Sequence, residues 1–543
     1  MVHLSAVNHD PAPAPDPGAG PSSRPADTAQ SSSLLGLPSD ADEFSTSVYG
    51  SRFACQELPR TRMPEDQMPR DVAYRMIKDD LSLDNNPRLN LASFVTTYME
   101  DEAEKLMTES MPKNFIDYEE YPRSADIQTR CTSMIGDLFH APAGSAIGTS
   151  TVGSSEAIML AVLAMKRRWR QRREAQAGTT RLPDDCRPNI VMSSAVQVCW
   201  EKAARYFEID ERFVYCTPER FVVDPREMVD LCDDNTICCV LLLGTTYTGH
   251  YEDVKAVNDL LVERNLDVSL HVDAASGGFV APFIMPDLEW DFRLEKVVSI
   301  NVSGHKYGLV YPGVGWVLWR APEYLPQDLV FNIDYLGAQQ SSFTLNFSKG
   351  ASQVIGQYYQ LIRLGRRGYR AIMLNLTRTA DYLADALQAM GFVIMSERSG
   401  RGLPLVAFRF GPNAAAKPGA GAGAGAGDDR HYDEFALAHA LRARGWVVPA
   451  YTMAPNTNRM KMLRVVVRED FSRSLCDMLL ADIKLCLGML DETDRETIKR
   501  QDEYIRTHMT AAGRSKHSKH KAHAYKNEQH SLQGKTGKTH APC

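Results

Sequence analysis

Apolar residues in this chain come in short runs separated by stretches of helical period. Strand-like runs fall at residues 189–193, 237–243, 268–273, 297–302 and 315–319, and amphipathic or buried helices lie between several of them, for example 156–170, 225–232 and 254–265. Runs this short and this continuous suit strands covered on both faces. Their alternation with helices predicts βαβ units, and so an α/β fold built on a large, mixed or mostly parallel sheet. After about residue 376 the order changes to a helix at 378–390, then strand (405–410), loop, helix (432–444), strand (462–467) and helix, which predicts a smaller α+β domain.

Three stretches fall outside this pattern. Residues 1–45 hold seven prolines among many Ala, Ser, Gly and Asp residues. Such a segment buries too little apolar surface to offset its ordering entropy, so it is expected to be a disordered extension. Residues 414–427 repeat Gly-Ala pairs between a strand and a helix, the composition of a surface loop insertion. A basic, His-rich tail occupies 505–543. The expected organisation is thus an extension (1–45), an N-terminal arm (46–88), a large domain (89–376), a small C-terminal domain (377–504) and the tail.

Composition narrows the class. Hydrophobic residues make up 44% and charged residues 24% of 543, enough for a sizeable core. The longest apolar run, 157–165, is far short of the roughly 20 residues that span a bilayer, so no membrane partner is expected. The first ten residues lack a basic flank followed by an apolar stretch, so no secretory signal is expected either. A net charge of −7 speaks against a nucleic-acid partner. That charge is uneven: residues 511–543 carry seven Lys/Arg and one acid, +6, leaving −13 on the rest. The eleven cysteines form no CxxC pair, so no metal site is expected, and the predicted location is the reducing cytoplasm.

The chemistry gathers where strands end. Ser303-Gly304-His305-Lys306-Tyr307-Gly308 follows one apolar run, and Asp273, followed by Ala274-Ala275-Ser276-Gly277-Gly278, closes another. In open α/β sheets, sites collect at the carboxyl ends of strands. A pyridoxal phosphate enzyme needs such a pair: a lysine amine for the Schiff base and a carboxylate to keep the pyridine nitrogen protonated. Gly153-Ser154-Ser155-Glu156 opens an apolar helix, which suits either a bound phosphate or a plain N-cap. Beside the lysine and the aspartate, the phosphate is the better reading.

Together with 91–94, 114–122, 149–156 and 271–283, these residues resemble the pyridoxal-phosphate glutamate decarboxylases of the bacterial, plant and fungal type, within the group II decarboxylases. The resemblance runs from about residue 48 to 504 and leaves both ends outside. It implies the fold-type-I, aminotransferase-like architecture with pyridoxal 5'-phosphate as cofactor. Lys306 would carry the cofactor, His305 would contact its phosphate, and Asp273 would pair with the ring nitrogen. These three are the expected catalytic residues. Ala275 would pack against the ring and Gln197 would cover its face. Thr246 would contact the phenolic oxygen, and Ser154, Ser155 and a neighbouring subunit's Ser348 would hold the phosphate.

For the substrate, the resemblance implies that Ser93 and Phe94 hold the distal carboxylate of L-glutamate, with Ser93 standing where the family carries threonine. Asn114 and Asp117 would reach that carboxylate from a partner subunit, and Arg464 would bind a substrate carboxylate. The implied reaction is α-decarboxylation to 4-aminobutanoate, with Lys306 or Tyr335 returning the proton to Cα. Another pyridoxal-phosphate decarboxylase or lyase is the alternative, and a non-catalytic protein on the same fold is a more remote one. A site shared between chains implies at least a homodimer, and the family includes hexamers. Plant members carry a C-terminal calmodulin-binding segment. The tail here has no tryptophan and no amphipathic stripe, which speaks against calmodulin and for a solvated extension.

Overall fold

The computed structural model describes residues 57–142, 144, 147–183, 186–335, 338–411 and 430–504. The proline-rich start, the Gly-Ala stretch and the basic tail lie outside the described residues. The chain divides into two units, Met1–Asn86 and Pro87–Cys543. The first contains the helix Arg70–Leu81, in which Arg75 and Asp79 pair one turn apart at 2.9 Å.

The second unit is built on a seven-stranded sheet of β1 (Ile147–Thr151), β2 (Asn189–Ser193), β3 (Asp210–Val214), β4 (Thr236–Leu242), β5 (Ser269–Asp273), β6 (Val297–Ser303) and β7 (Gly315–Trp319). Their order is β1-β7-β6-β5-β4-β2-β3. The strands β3, β2, β4, β5 and β6 pair in parallel, whereas β7 runs antiparallel to both β6 and β1. Two reversals bring β1 back into the direction of β6. The carboxyl ends of β1, β2, β4, β5 and β6 therefore share one edge of the sheet.

The sheet is covered on both faces, and the central strands show it. All seven residues of β4 are buried, and so are all those of β6 and β7. Cys238 and Cys239, within β4, are fully buried and act as small hydrophobes, their thiol pKa values pushed up by the protein around them. By contrast β1 and β3 flank the sheet, are only partly buried, and carry Gly, Ser and Thr or Asp, Glu and Arg. Polar edge strands leave no apolar run, which is why the residue pattern did not show them.

The helix Ser154–Ala177 lies across β4, β6 and β7 and buries Ile158, Leu160, Val162, Met165 and Trp169. Each such aliphatic side chain contributes roughly 1.5–3 kcal/mol by leaving water. The helix runs seven residues beyond its predicted end at 170. Its charged last turns are braced by Arg170–Glu174 at 2.9 Å, and it stops at Gly178, whose φ of 62° forms a left-handed cap.

A hairpin of β8 (Phe331–Tyr335) and β9 (Ala338–Ser342) follows, then the helix Ser352–Ala389, interrupted at Gly365 with φ 56°. The division expected near 376 falls inside this helix. Beyond it, β10 (Phe392–Ile394), β11 (Leu405–Phe410), β12 (Ala450–Thr452) and β13 (Lys461–Val466) form an antiparallel sheet in the order β10-β11-β13-β12, with the helices Glu434–Ala443 and Arg473–Glu492. No described helix is long and apolar enough to cross a membrane.

Candidate active site

Asp273 is the last residue of β5, and its ladder partners are Leu242 on β4 and Asn301 on β6. Its carboxylate accepts three N–H bonds. Trp200 Nε1 donates to Oδ2 at 2.8 Å, while Asn301 Nδ2 and the Ala275 backbone N–H donate to Oδ1 at 3.0 and 3.1 Å. A carboxylate has about four acceptor positions, so one remains for a further donor.

Behind Asp273 the chain of bonds continues. Because Asn301 Nδ2 donates to Asp273, its Oδ1 is free to accept from His271 Nε2 at 2.7 Å, and His271 Nδ1 then accepts from Ser299 Oγ at 2.7 Å. Fully buried, His271 is pushed below the ordinary histidine pKa by desolvation. His271, Ser299, Asn301 and Trp200 carry no chemical signature in the sequence and were not anticipated.

Lys306 lies three residues past β6. Its Nζ donates to Ser276 Oγ at 3.3 Å, on the loop that leaves Asp273. The loop from 303 to 310 is held by Ser303 N–H to Ala275 O at 3.1 Å and by Thr96, whose N–H donates to His305 O at 3.0 Å and whose Oγ1 donates to Lys306 O at 2.7 Å. Ser276 and Thr96 also escaped the sequence reading, since serine and threonine are ordinary loop residues.

The start of the helix Ser154–Ala177 lies against His305. Its N-cap is Gly153 and no side chain caps it. Ser154 Oγ, in the turn read as either a phosphate site or a cap, bonds Ser303 Oγ at 2.7 Å. A Cβ on Gly153 would stand 3.2 Å from His305 Cε1, so the imidazole sits against this turn. His305 Nδ1 is buried without a hydrogen-bond partner, and burial, aided by the Lys306 charge, pushes its pKa down to about 4. A buried, unpartnered imidazole nitrogen beside an uncapped helix start suits a phosphate.

Gln197 precedes the helix Val198–Tyr206 and caps it, its side chain accepting from the Val198 N–H at 2.7 Å. Thr246 stands in the loop after β4, and its carbonyl accepts from Arg464 Nη1. Arg464, on β13 and fully buried, also donates to Ala92 O at 2.6 Å, while its Nε has no hydrogen-bond partner. Phe94 lies between two cations, its ring centroid 4.8 Å from the Arg464 guanidinium and 5.5 Å from Lys306 Nζ. Ser93 Oγ accepts from the Val95 N–H at 3.1 Å.

Asn114, Asp117 and Ser348 form a second group. Asn114 Nδ2 faces Ser348 Oγ at 3.4 Å, and the two segments are zipped by Phe115 N–H to Lys349 O at 2.8 Å and Ala351 N–H to Lys113 O at 3.2 Å. Asp117 Oδ1 is buried without a hydrogen-bond partner. Leu345 and Phe347, beside Ser348, are exposed apolar residues. Tyr335 closes β8.

The strand edge can thus offer a carboxylate to a ring nitrogen, an amine to an aldehyde and an uncapped helix start with an imidazole to a phosphate, a donor set that suits pyridoxal phosphate. The comparisons with known proteins agree. The pyridoxal-dependent decarboxylase conserved domain matches residues 64–411. Among curated relatives, glutamate decarboxylase 5 of Arabidopsis thaliana is 52% identical over 458 residues, covering 83% of this chain and 88% of its own length. The glutamate decarboxylase of Petunia hybrida is 52% identical over 461 residues with the same coverage. Among solved structures, a Lactobacillus brevis glutamate decarboxylase superposes with a TM-score of 0.76 at 41% identity, over 82% of this chain and 98% of that one. A sphingosine-1-phosphate lyase from Burkholderia pseudomallei, at 20% identity and a TM-score of 0.65, shares the fold. This chain belongs to the pyridoxal-dependent decarboxylase family, among its glutamate decarboxylases.

Proposed function

We propose that the protein converts L-glutamate and one proton to 4-aminobutanoate and CO2, using pyridoxal 5'-phosphate. The observation that carries this reading is the shared strand edge, where the Lys306 amine bonds Ser276 on the loop leaving a carboxylate held by three N–H donors. The cofactor, when bound, supplies an electron sink for the pair left behind as CO2 departs. Lys306 would hold it through its amine. Asp273 keeps the ring nitrogen protonated, with Trp200 and Asn301 fixing the carboxylate. His305, Ser154 and Ser155 hold the phosphate. Ala275, Gln197 and Thr246 would help to hold the ring.

Arg464 takes a substrate carboxylate, a task its planar fork suits, and its unpartnered Nε supports the assignment. Ser93 and Phe94 set the distal carboxylate. Asn114, Asp117 and Ser348 serve the site of a second copy, which makes the working unit at least a dimer. Their zipped segments and the exposed Leu345 and Phe347 support that reading. Lys306 or Tyr335 returns the proton to Cα. The nine described cysteines are all free, in keeping with a cytoplasmic location.

The decisive experiment uses purified protein. Cofactor-linked visible absorbance and CO2 release with glutamate, in preference to aspartate and aromatic amino acids, are expected. Lys306→Ala should remove both. Decarboxylation by that variant, or preference for another amino acid, would overturn the assignment.

A further inference from the structure

Arg468 stands just past β13, is almost wholly buried, and is bound to the backbone that carries Ser93 and Phe94. Its Nη1 donates to Ser93 O at 3.4 Å and Val95 O at 3.2 Å, and its Nη2 donates to Pro87 O at 3.0 Å. It is 1% exposed, and its nearest countercharge, Asp470 Oδ1, is 3.8 Å from Nη2. Burying a guanidinium costs several kcal/mol unless its donors are answered. Here they are answered mainly by carbonyls of one irregular segment.

That segment needs them. Residues 92–95 lie in neither helix nor strand, so their carbonyls have no ladder to join. Arg464 takes Ala92 O, and Arg468 takes Ser93 O and Val95 O. The segment is pinned at its ends by Val466 N–H to Leu91 O at 2.9 Å and by Thr97 Oγ1 to Asp470 Oδ2 at 2.6 Å. Between these ends, Arg468 bonds the carbonyls of the 93–94 and 95–96 peptide planes, while the 94–95 plane between them is held by its Val95 N–H on Ser93 Oγ. Rotating the 93–94 plane would move the Phe94 ring relative to Arg464 and Lys306, and rotating either bonded plane would disturb the Ser93 Oγ–Val95 turn between them.

We propose that Arg468 is a positioning residue for substrate recognition: it holds the 93–95 backbone so that Ser93 and Phe94 meet the distal carboxylate of an acidic amino acid. This rests on the substrate reading of Ser93 and Phe94 above. Lysine at 468 would keep the charge but lose the fork that spans three carbonyls. Arg468→Lys holoenzyme is therefore expected to show a KM for glutamate about tenfold higher, with kcat within about threefold and cofactor absorbance unchanged. Its preference for glutamate over aspartate should fall as well.

The test combines Arg468→Lys with Ser93→Ala in a double-mutant cycle on KM, where non-additive effects are expected because one residue acts through the other. Additive effects, or an Arg468→Lys KM equal to wild type while Ser93→Ala raises KM, would overturn the inference alone. If Ser93→Ala leaves KM unchanged, the substrate reading of Ser93 falls, and the route from Arg468 falls with it. Arg468→Gln, which loses the charge and the fork, is the second variant. Loss of cofactor absorbance in both Arg468 variants at saturating cofactor would make Arg468 a determinant of the fold, and would likewise overturn the proposal.

Discussion

Trp200 donates its indole N–H to Asp273 Oδ2 at 2.8 Å, from a helix 73 residues earlier in the chain. The ring also meets His271 edge-on at 5.2 Å, so it closes one side of the network that holds the carboxylate. Trp200→Phe keeps an aromatic side chain but removes the donor together with part of the buried indole volume. We expect kcat to fall by about tenfold, with the cofactor still bound, as one lost hydrogen bond to a charged group implies. Asp273→Asn should cost several orders of magnitude, each tenfold being about 1.4 kcal/mol of barrier. Steady-state kinetics on the two variants gives the ordering, and equal, merely twofold losses would make Asp273 structural.

The phosphate turn depends on a glycine in another strand. A Cβ on Gly315, in β7, would stand 2.6 Å from the carbonyl carbon of Gly153 and 2.8 Å from the Ser154 nitrogen. Backbone cannot yield as a flexible side chain does, so Gly315→Ala must displace the helix start that packs against His305. Cofactor affinity should fall by about ten- to a hundredfold, a loss of roughly 1.4–2.8 kcal/mol, read from absorbance during cofactor titration. Unchanged affinity would remove this turn from the phosphate site.

Glu252 provides a pH signature. It is buried, and its carboxylate accepts from the Leu242 N–H at 2.7 Å and the Val223 N–H at 3.4 Å. Burial pushes its pKa up to about 7 from 4.5, with the Asp273 charge pushing the same way and these N–H bonds opposing. Between those pH values the folded state binds more protons than the unfolded state, so stability falls as pH rises from about 4.5 to about 7. The loss is on the order of 3 kcal/mol. Urea unfolding of Glu252→Gln across that window should show a shallower fall with pH than wild type. An identical slope would mean that Glu252 does not titrate there.

Sharing of the site between copies can be tested by mixing two inactive proteins. Lys306→Ala supplies an intact Ser348 and Asn114, and an Asn114→Ala, Ser348→Ala double variant supplies an intact Lys306. Random reassociation should restore about a quarter of wild-type activity, because half the dimers are mixed and each has one complete site. Refolding the variants together and assaying CO2 release gives the answer. No recovery would place Asn114 and Ser348 in their own chain's site or in none.

Much of this architecture was legible in the residues. The runs at 189–193 and 315–319 match β2 and β7 at both ends, and that at 297–302 matches β6 to within one residue. A strand buried on both faces has to be apolar throughout, and that demand shows in the sequence. The predicted strand at 237–243 is one residue late, because Leu243 leaves β4 to pair with Tyr251 while Thr236 is buried at its start. Lys306, Asp273 and the 153–156 turn were visible for another reason: their chemistry confines residue choice wherever the chain folds.

Strand direction and the supporting contacts were decided only by the tertiary structure. Nothing in the residues of β7 shows that it reverses, because an antiparallel strand buried on both faces is as apolar as a parallel one. Yet that reversal is what returns β1, and with it Ser154, to the edge that holds Lys306 and Asp273. Trp200, Asn301, Thr96 and Arg468 act over long sequence separations, through one hydrogen bond or a few, and residues of these types occur throughout any core or loop. The sequence by itself determined the elements and the reactive groups, since burial and chemistry constrain residue type locally. Only packing decided which donor meets which acceptor, because that depends on where distant segments come together.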